Sequence, residues 1–366
     1  RMNPTADAPL DSFWQQFYEH RPELEIFNAH SFATALATIE PDNHQHIAPL
    51  HQLGLLCISG DDATTFLQGQ LSADVNALAV GQTTMAAHCD AKGRMHTNFL
   101  LHKVAEQHYW LQLHNSTAEL ECTALAKYAV FSKVVIKNLS TQYACFGLES
   151  LALAKDILAH EAIQTGITKL AVEDLLTCIW IPRDKLDNLL EALEQTHTHW
   201  LGSGNWQKII MQRGIGFIEH SISGEFIPQM LNLDCIHGIS FTKGCYTGQE
   251  IIARMKYRGS VKRRCWGFSA ELSSFEITQL TRIEAIDQFA RCAAAGAEIR
   301  NSNDQVAGQV VNSVVNSLGA AHGLVVIKLS MMEAEAPLHL CWTDTQGNKL
   351  TIPITLTPPP YAIPNN

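Results

Sequence analysis

Short apolar runs and helical stripes alternate along the chain and predict a mixed helix-and-strand fold. Leu53 to Ser59 is an apolar run that ends at a glycine, which predicts a strand. Asp61 and Asp62 then offer an N-cap to a helix carrying Phe66 and Leu67. Further predicted strands are Thr83–Cys89, Met95–Lys103, His108–Leu113, Val134–Leu139 and Cys178–Ile181, and further predicted helices are Thr117–Val130 and Arg183–Gln195. This order favours helices on one face of a mostly antiparallel sheet over a doubly wound sheet, so the predicted fold class is α+β.

The two ends of the chain differ from this pattern. Residues 1–45 look like an appendage, in which Phe13, Trp14, Phe17 and Tyr18 share one helical face. Packing of that face onto the main body is favoured over binding of a partner. After about residue 262, short β-rich runs separated by turns predict a small barrel or sandwich. The runs are Gly308–Val311, Leu324–Leu329, Leu338–Trp342 and Leu350–Leu356, with a turn at residues 345–348.

Composition narrows the classes of protein. The chain is 46% hydrophobic and 17% charged, with a net charge of −10, which excludes a disordered chain. It also argues against bulk attraction to nucleic acid or to an anionic membrane. No apolar run approaches the length of a spanning helix. The ten cysteines are scattered without a C-x-x-C pair, which disfavours zinc ribbons and predicts reduced thiols in the cytoplasm.

One segment combines a cysteine with features that activate thiols. Thr247 and Glu250 have the spacing of a capping box, which predicts a helix starting near Thr247. Cys245 would then lie just ahead of a helix N-terminus, with Lys243 two residues away. Both the helix dipole and the lysine favour the thiolate, which is the reactive form of cysteine. Cys245 is therefore the candidate functional thiol, with Lys243 beside it.

The local sequence supports a purely structural role for this segment equally well. Gly244 and Gly248 open an approach to Cys245 for a ligand, but they can equally make a turn in which the cysteine packs as a small hydrophobe. Residues 243–264 also carry seven basic side chains and one acidic one. A solvated helix surface is the bland explanation, whereas an anionic cofactor, a phosphate backbone or an acidic partner is the functional one.

Several blocks of this sequence resemble the YgfZ family of folate-binding proteins. The most specific block is the motif Lys243-Gly244-Cys245-Tyr246-Thr247-Gly248-Gln249-Glu250, which is similar to the K-G-C-Y-x-G-Q-E motif of that family. The weaker blocks occur in the family's order, and they are Gly60–Val75, His88–Arg94, Lys127–Lys133 and Phe226–Leu233. The resemblance covers roughly residues 48–360, and the family is related to the T-protein of the glycine cleavage system.

For the fold, the resemblance implies three domains in a ring around a central channel. We expect an appendage over residues 1–45 and a discontinuous folate-binding first domain formed by residues 46–139 and 215–261. Residues 140–214 would form the second, α+β domain, and residues 262–366 a C-terminal β-barrel.

For the ligand, the resemblance implies a tetrahydrofolate. Trp206 corresponds to an aromatic residue that lines the family's folate site, although a core tryptophan is the preferred explanation without the resemblance. A second family aromatic falls on Leu53, where this chain departs from the pattern. Arg254 and Arg258 are the candidates to meet glutamyl carboxylates. No metal is expected to be held by this chain alone, because one cysteine cannot supply the roughly four ligands of a cluster.

Three functions follow as alternatives. The main hypothesis is a cytoplasmic folate-binding accessory protein that supports assembly or repair of iron–sulfur enzymes, and through them tRNA modification. Its partners would be iron–sulfur proteins or tRNA-thiolating enzymes, without a membrane and without direct tRNA binding. The second is a folate-dependent one-carbon transferase. The acidic pair of T-proteins falls here on Thr97 and Asn98, which cannot act as carboxylates, so independent turnover is not expected. The third is an interaction protein that uses the basic stretch.

Overall fold

The computed structural model describes residues 10–27, 30–33, 46–149, 157, 166–169, 177–194, 198–272, 282–333, 337–343 and 349–364. The helices in these ranges are α1 (Ser12–Glu19), α2 (Ala63–Gln70), α3 (Ala118–Ala126), α4 (Leu186–Glu194), α5 (Ser203–Gln212), α6 (Gln249–Tyr257), α7 (Arg282–Cys292) and α8 (Leu329–Glu333). The first strands are β1 (Leu24–Phe27), β2 (His30–Ala33), β3 (His46–Pro49), β4 (Leu53–Ser59), β5 (Thr83–Cys89), β6 (Met95–Ala105), β7 (His108–His114), β8 (Val135–Asn138), β9 (Tyr143–Leu148) and β10 (Gly166–Lys169). The later strands are β11 (Thr177–Pro182), β12 (His199–Trp200), β13 (Arg263–Glu271), β14 (Glu298–Asn301), β15 (Val306–Val315), β16 (Ala320–Lys328), β17 (Leu338–Thr343), β18 (Lys349–Pro353) and β19 (Thr355–Thr357).

The first large sheet has the strand order β5-β6-β7-β4-β8, and its pairings are antiparallel. Successive residues of a strand point to opposite faces, and both faces of β4 are covered. Leu56 and Ile58 pack with the apolar residues of α2 and α3, while Leu55 and Cys57 join a cluster that contains Trp206 of α5. This double burial explains why β4 is a continuous apolar run and not an alternating one.

The second sheet has the order β10-β11-β9-β3-β12, in which β12 runs parallel to β3 and the other pairings are antiparallel. Helix α1 lies on this sheet, with Trp14, Phe17 and Tyr18 buried against Phe146 and its neighbours. Packing of the aromatic face onto the body is therefore confirmed. Strand β3 belongs to this second sheet, although the expected domain division assigned its residues to the first domain; the division itself stays a prediction.

The third sheet is a nearly closed, antiparallel barrel of seven strands in the order β18-β17-β14-β15-β16-β13-β19. Helix α7 packs on it through Ala285, Ile286 and Phe289. The predicted strand Leu350–Leu356 is divided into β18 and β19, because the chain stays bonded to β17 as far as Ile354 and then pairs with β13 instead. The predicted turn at residues 345–348 lies outside the described residues.

The chain after α5 returns to the first sheet. The side chain of Asn98 on β6 donates to the carbonyl oxygen of Gly216 and accepts from the N–H of Ile218, both at 2.8 Å. Met95 N–H donates to Phe226 O, and Gly224 N–H donates to Met95 O. These bonds fasten residues 216–226 to the first sheet, and Gly248 at the start of α6 lies close to the turn between β5 and β6.

The α+β class and the C-terminal barrel are confirmed, and two predicted helices are too long. Helix α3 ends at Ala126 and not at Val130, because tertiary bonds between Asp62 and the backbone of Lys133 draw the chain back toward α2. Tyr128, expected on the buried stripe, is 51% exposed. Helix α4 begins at Leu186, after a 3₁₀ turn at Arg183–Lys185, and the predicted end at Gln195 lies outside the described residues. Among the described helices, none is long and apolar enough to cross a membrane.

Candidate functional site

The motif around Cys245 forms a loop that packs against the turn between β5 and β6. Asp90 closes that turn by accepting from the N–H groups of Lys92 and Arg94, at 2.8 and 2.9 Å. A side chain at Gly248 would place its Cβ 2.5 Å from the carbonyl oxygen of Asp90, and Gly248 has a φ of +84°. Glycine is therefore required at this position both for the close approach and for the backbone conformation.

The predicted capping box is wrong. Helix α6 begins at Gln249 with Gly248 as its N-cap residue, and no side chain caps it. Thr247 instead contacts Gln70 through its hydroxyl and Gly69 through its backbone N–H. The contact with α2 replaces the local cap, because the hydroxyl of Thr247 is bonded to Gln70. Cys245 consequently lies four positions before the first helical residue, so the helix dipole contributes less to its chemistry than the spacing predicted.

Lys243 fastens the loop to the end of α2. The residue is 9% exposed, and its ammonium group donates to the carbonyl oxygens of Leu71 and Ala73, at 2.8 and 2.7 Å. These carbonyls follow the last turn of α2, where unpaired acceptors and the helix dipole favour a cation. Burial lowers the pKa of Lys243 to about 8, and the negative charge of Asp74 opposes that shift. The structure thus gives Lys243 a structural task, and its predicted part in thiol chemistry stays a prediction.

Cys245 is exposed, whereas each of the other nine cysteines is buried or half-buried. Burial raises the pKa of several of those thiols, to about 11 for Cys235 and to about 12 for Cys265 and Cys292. A raised pKa reduces the thiolate fraction and with it the reactivity. Accessibility and not a helix dipole therefore distinguishes Cys245 from the other thiols.

Fewer of the basic side chains in residues 243–264 reach the surface than the sequence suggested. Lys243 is buried, and the guanidinium of Arg264 is buried in a forked pair with Asp234, at 2.7 and 3.0 Å. Five basic residues remain exposed, namely Arg254, Lys256, Arg258, Lys262 and Arg263. The ammonium of Lys256 lies 3.7 Å from the centroid of the Phe241 ring. The exposed side of α6 is thus a basic surface that adjoins the cysteine loop in sequence.

A cavity lies where the three large sheets meet. Its lining comes from the first sheet, from β11 of the second sheet, from β15 of the barrel, and from α5 with the segment that follows it. The residues that line it are Gln52, Leu53, Gln112, His114, Cys178, Trp206, Gln207, Ile210, Met211, Ile215, Phe217 and Asn312. The cavity itself has a volume of about 40 Å³, within about 500 Å³ of free space that includes the part open to solvent. A mostly apolar cavity with a few polar groups is typical of a small-molecule site.

Trp206 and Leu53, which the resemblance placed at the ligand, both line this cavity. The indole of Trp206 lies flat against β9, since a Cβ added at Gly147 would come within 2.6 Å of its ring carbons. Glycine at position 147 is thus what allows the ring to approach the sheet so closely. Asn98 holds the Gly216–Ile218 segment, which contributes Phe217 to the lining.

The structure separates residues that the sequence prediction had grouped as cofactor-binding. Within the described part of the chain, the lining of the cavity includes neither Arg254 nor Arg258, nor any residue of the cysteine motif. The candidate site therefore has two parts, the cavity around Trp206 and the exposed loop with Cys245. The binding roles of Arg254 and Arg258 stay predictions. The described residues also contain no group of three or more His, Cys, Asp or Glu side chains arranged to hold a metal ion.

Sequence reasoning missed four amides in the cavity: Gln52, Gln112, Gln207 and Asn312. Gln112 accepts from the indole N–H of Trp180 at 2.9 Å, and Asn312 accepts from the N–H of Phe217 at 2.8 Å. Gln52 could have been noticed because it precedes Leu53, a position that the resemblance had already assigned to the ligand. Gln112 and Asn312 come from strands of different sheets and Gln207 comes from α5, and no local pattern connects them.

The fold is that of an aminomethyltransferase T protein. The structure aligns with the glycine cleavage system aminomethyltransferase T from Bartonella henselae with a TM-score of 0.62 and 14% identity, over 93% of this chain and 95% of that one. Residues 43–162 also match the model of the GCVT N-terminal domain. At this level of identity, the likeness to the solved structure establishes the architecture alone.

The sequence relatives define the family more narrowly. The chain is 33% identical over 276 residues to the tRNA-modifying protein YgfZ of Klebsiella pneumoniae, covering 72% of this chain and 83% of that protein. It is 32% and 31% identical, over the same shares, to the tRNA-modifying proteins YgfZ of Shigella sonnei and Escherichia coli K12. The chain belongs to the YgfZ family.

Proposed function

We propose that this chain binds a reduced folate in the cavity around Trp206 and acts as an accessory protein in tRNA modification. The observation that carries the proposal is the position of Trp206 and Leu53 together in one apolar cavity at the junction of the three sheets. Its relatives are named as tRNA-modifying proteins, which supports the second part of the proposal. A cytoplasmic location agrees with the ten free thiols.

The proposal extends to iron–sulfur enzymes through Cys245. A cluster needs about four ligands, and one exposed thiol cannot hold it alone. It can contribute one ligand to a cluster shared with a client protein, or undergo reversible thiol chemistry during assembly or repair. The exposure of Cys245 supports this role, because a client has to reach the sulfur atom. In this scheme tRNA modification depends on the clients, and the chain itself needs no independent turnover.

Folate titration tests the cavity directly. We expect tetrahydrofolate to quench the tryptophan fluorescence of the wild-type protein, and Trp206→Ala to weaken binding by about tenfold or more, because stacking on an aromatic ring contributes roughly 1–3 kcal/mol. Trp206 is only 2% exposed, so thermal unfolding of the variant has to show that its fold is kept. Exposed Tyr128, which does not line the cavity, supplies the control variant Tyr128→Ala, which should bind like the wild type. Equal affinity of Trp206→Ala and wild type would remove Trp206 from the site, and absence of binding in all three proteins would refute the folate proposal.

The alternative, a one-carbon transferase of T-protein type, makes a different prediction. Thr97 and Asn98 occupy the places of the acidic pair, and both are buried and bonded within the fold. Asn98 uses its N–H group on Gly216 O, a bond that a carboxylate cannot make. We therefore expect no methylenetetrahydrofolate to form from an aminomethylated carrier protein. Production above that of a carrier-only control, measured by liquid chromatography, would favour the transferase instead.

A further inference from the structure

Gln52 lies at the wall of the cavity, in the turn between β3 and β4. Gln52 is 8% exposed, and its backbone carbonyl oxygen accepts from the backbone N–H of Asn115 at 2.8 Å. The next residue, Leu53, is the position where the family resemblance places an aromatic and this chain does not. The backbone of Gln52 is therefore held in place, and the residue lines the cavity beside Leu53.

The amide oxygen of Gln52 is a buried acceptor with no hydrogen-bond partner in the described part of the chain. Buried polar atoms are almost always paired, so an unpaired one calls for an explanation. Two of the other three amides of the cavity behave differently, since Gln112 accepts from Trp180 and Asn312 accepts from Phe217. The third, Gln207, is half-buried and is not among the buried unpaired groups. Protein groups thus satisfy Gln112 and Asn312, whereas the buried amide oxygen of Gln52, a residue of the cavity lining, has no partner within the described residues.

The surroundings restrict what that ligand is. Trp206, Ile210, Met211 and Ile215 make much of the lining apolar, which suits a flat ring. The oxygen of Gln52 requires an N–H donor on the edge of that ring. A reduced pterin has both features: its 2-amino and N3–H donors lie on the edge opposite the tail that carries the charged glutamate. Since the charged tail stays in water, the donor edge enters the cavity first and reaches the buried acceptor.

We infer that Gln52 accepts a hydrogen bond from the 2-amino group of the pterin, and that this contact determines specificity for the folate ring. The inference rests on the proposed function. Leu53 cannot stack as the family's aromatic does, so the polar contact carries a larger share of recognition in this chain. The bond is made through Oε1, which a glutamate at this position would also provide.

The experiment compares two ligands on three proteins by titration calorimetry. The ligands are 5-formyltetrahydrofolate and its 2-desamino-2-methyl analogue, and the proteins are wild type, Gln52→Met and Gln52→Glu. We expect wild type to prefer the amino ligand by about 3- to 10-fold, as a neutral hydrogen bond provides, and Gln52→Glu, whose carboxylate makes a charge-assisted bond, to prefer it at least as strongly. Gln52→Met should bind both ligands alike. Its unfolding temperature without ligand should not fall, because the replaced oxygen makes no bond within the fold.

Each outcome has a defined meaning. Absence of binding by wild type would refute the folate proposal itself, and the inference with it. Binding by wild type without preference, or an unchanged preference in Gln52→Met, would overturn the role of Gln52 and leave the folate proposal standing. A fall in the unfolding temperature of Gln52→Met would indicate a structural role. In that case the preference of Gln52→Glu decides the question: its loss overturns the inference, and its retention supports it.

Discussion

Cells that lack their own YgfZ protein and produce Cys245→Ser in place of the wild-type chain should fail to recover cluster-enzyme activity. Cys245 is exposed in a loop and contributes little to the core, so the free energy of unfolding should change by less than about 0.5 kcal/mol. Activity of the client enzymes and modified-nucleoside content measure the first part, and thermal unfolding measures the second. Cys122→Ser is the control, because Cys122 is half-buried in α3 and should complement normally.

Cys245 should also react faster with alkylating reagents than the other cysteines do. Limited alkylation of the native protein, mapped by mass spectrometry, should label Cys245 at least about tenfold faster than the other cysteines. Burial of those thiols limits access and, for several, raises the pKa. If Cys245 is labelled no faster than the median cysteine and Cys245→Ser still complements, the thiol proposal is wrong and the motif is a folding element.

Lys243→Met should destabilise the protein by about 2–4 kcal/mol, because it leaves the buried carbonyl oxygens of Leu71 and Ala73 without a donor. Activity should fall together with stability, since the loop that presents Cys245 loses its bond to α2. Chemical denaturation measures the effect. Lys92→Met, in an exposed turn position, is the matched control and should change stability by less than about 0.5 kcal/mol.

The pH dependence of the same pair checks the ionisation of Lys243. Its pKa in the folded protein is lowered to about 8, below the ordinary value of about 10.4. Between these values the unfolded chain binds more protons, so the contribution of Lys243 to stability rises as pH increases from 8 toward 10.4. The neutral amine can still donate to both carbonyls. The stability difference between wild type and Lys243→Met should therefore grow over this range, and a difference that shrinks with pH would contradict the lowered pKa.

Cys245→Ser and Lys243→Met together distinguish a residue of the motif that acts in thiol chemistry from one that stabilises the fold. Loss of function at constant stability is expected for Cys245, and loss of both for Lys243. Lys243 was grouped with Cys245 in the sequence because the two are near neighbours in the chain. If Lys243→Met retains its stability and still loses function, Lys243 takes part in the thiol chemistry as the sequence predicted.

Much of the fold could be predicted because the local pattern and the tertiary environment agree. Strands β4 and β5 have the bounds that their apolar runs predicted, and Trp14 and Phe17 of α1 are buried as their spacing required. The predictions were wrong where a distant group competes with a local preference. Thr247 contacts Gln70 instead of capping α6, and the end of α3 is set by a contact between Asp62 and Lys133.

The sequence by itself determined the α+β class, the β-rich end, the family resemblance and the cysteine of interest, because each depends on residues close together in the chain. Only the tertiary structure decided what surrounds them. In the structure, the cavity of Trp206 is separate from the exposed loop of Cys245. The ammonium group of Lys243 is buried at the end of α2, and the amide oxygen of Gln52 has no partner within the described residues. The physical reason is that burial and hydrogen-bond pairing depend on segments more than a hundred residues apart, which no local pattern records.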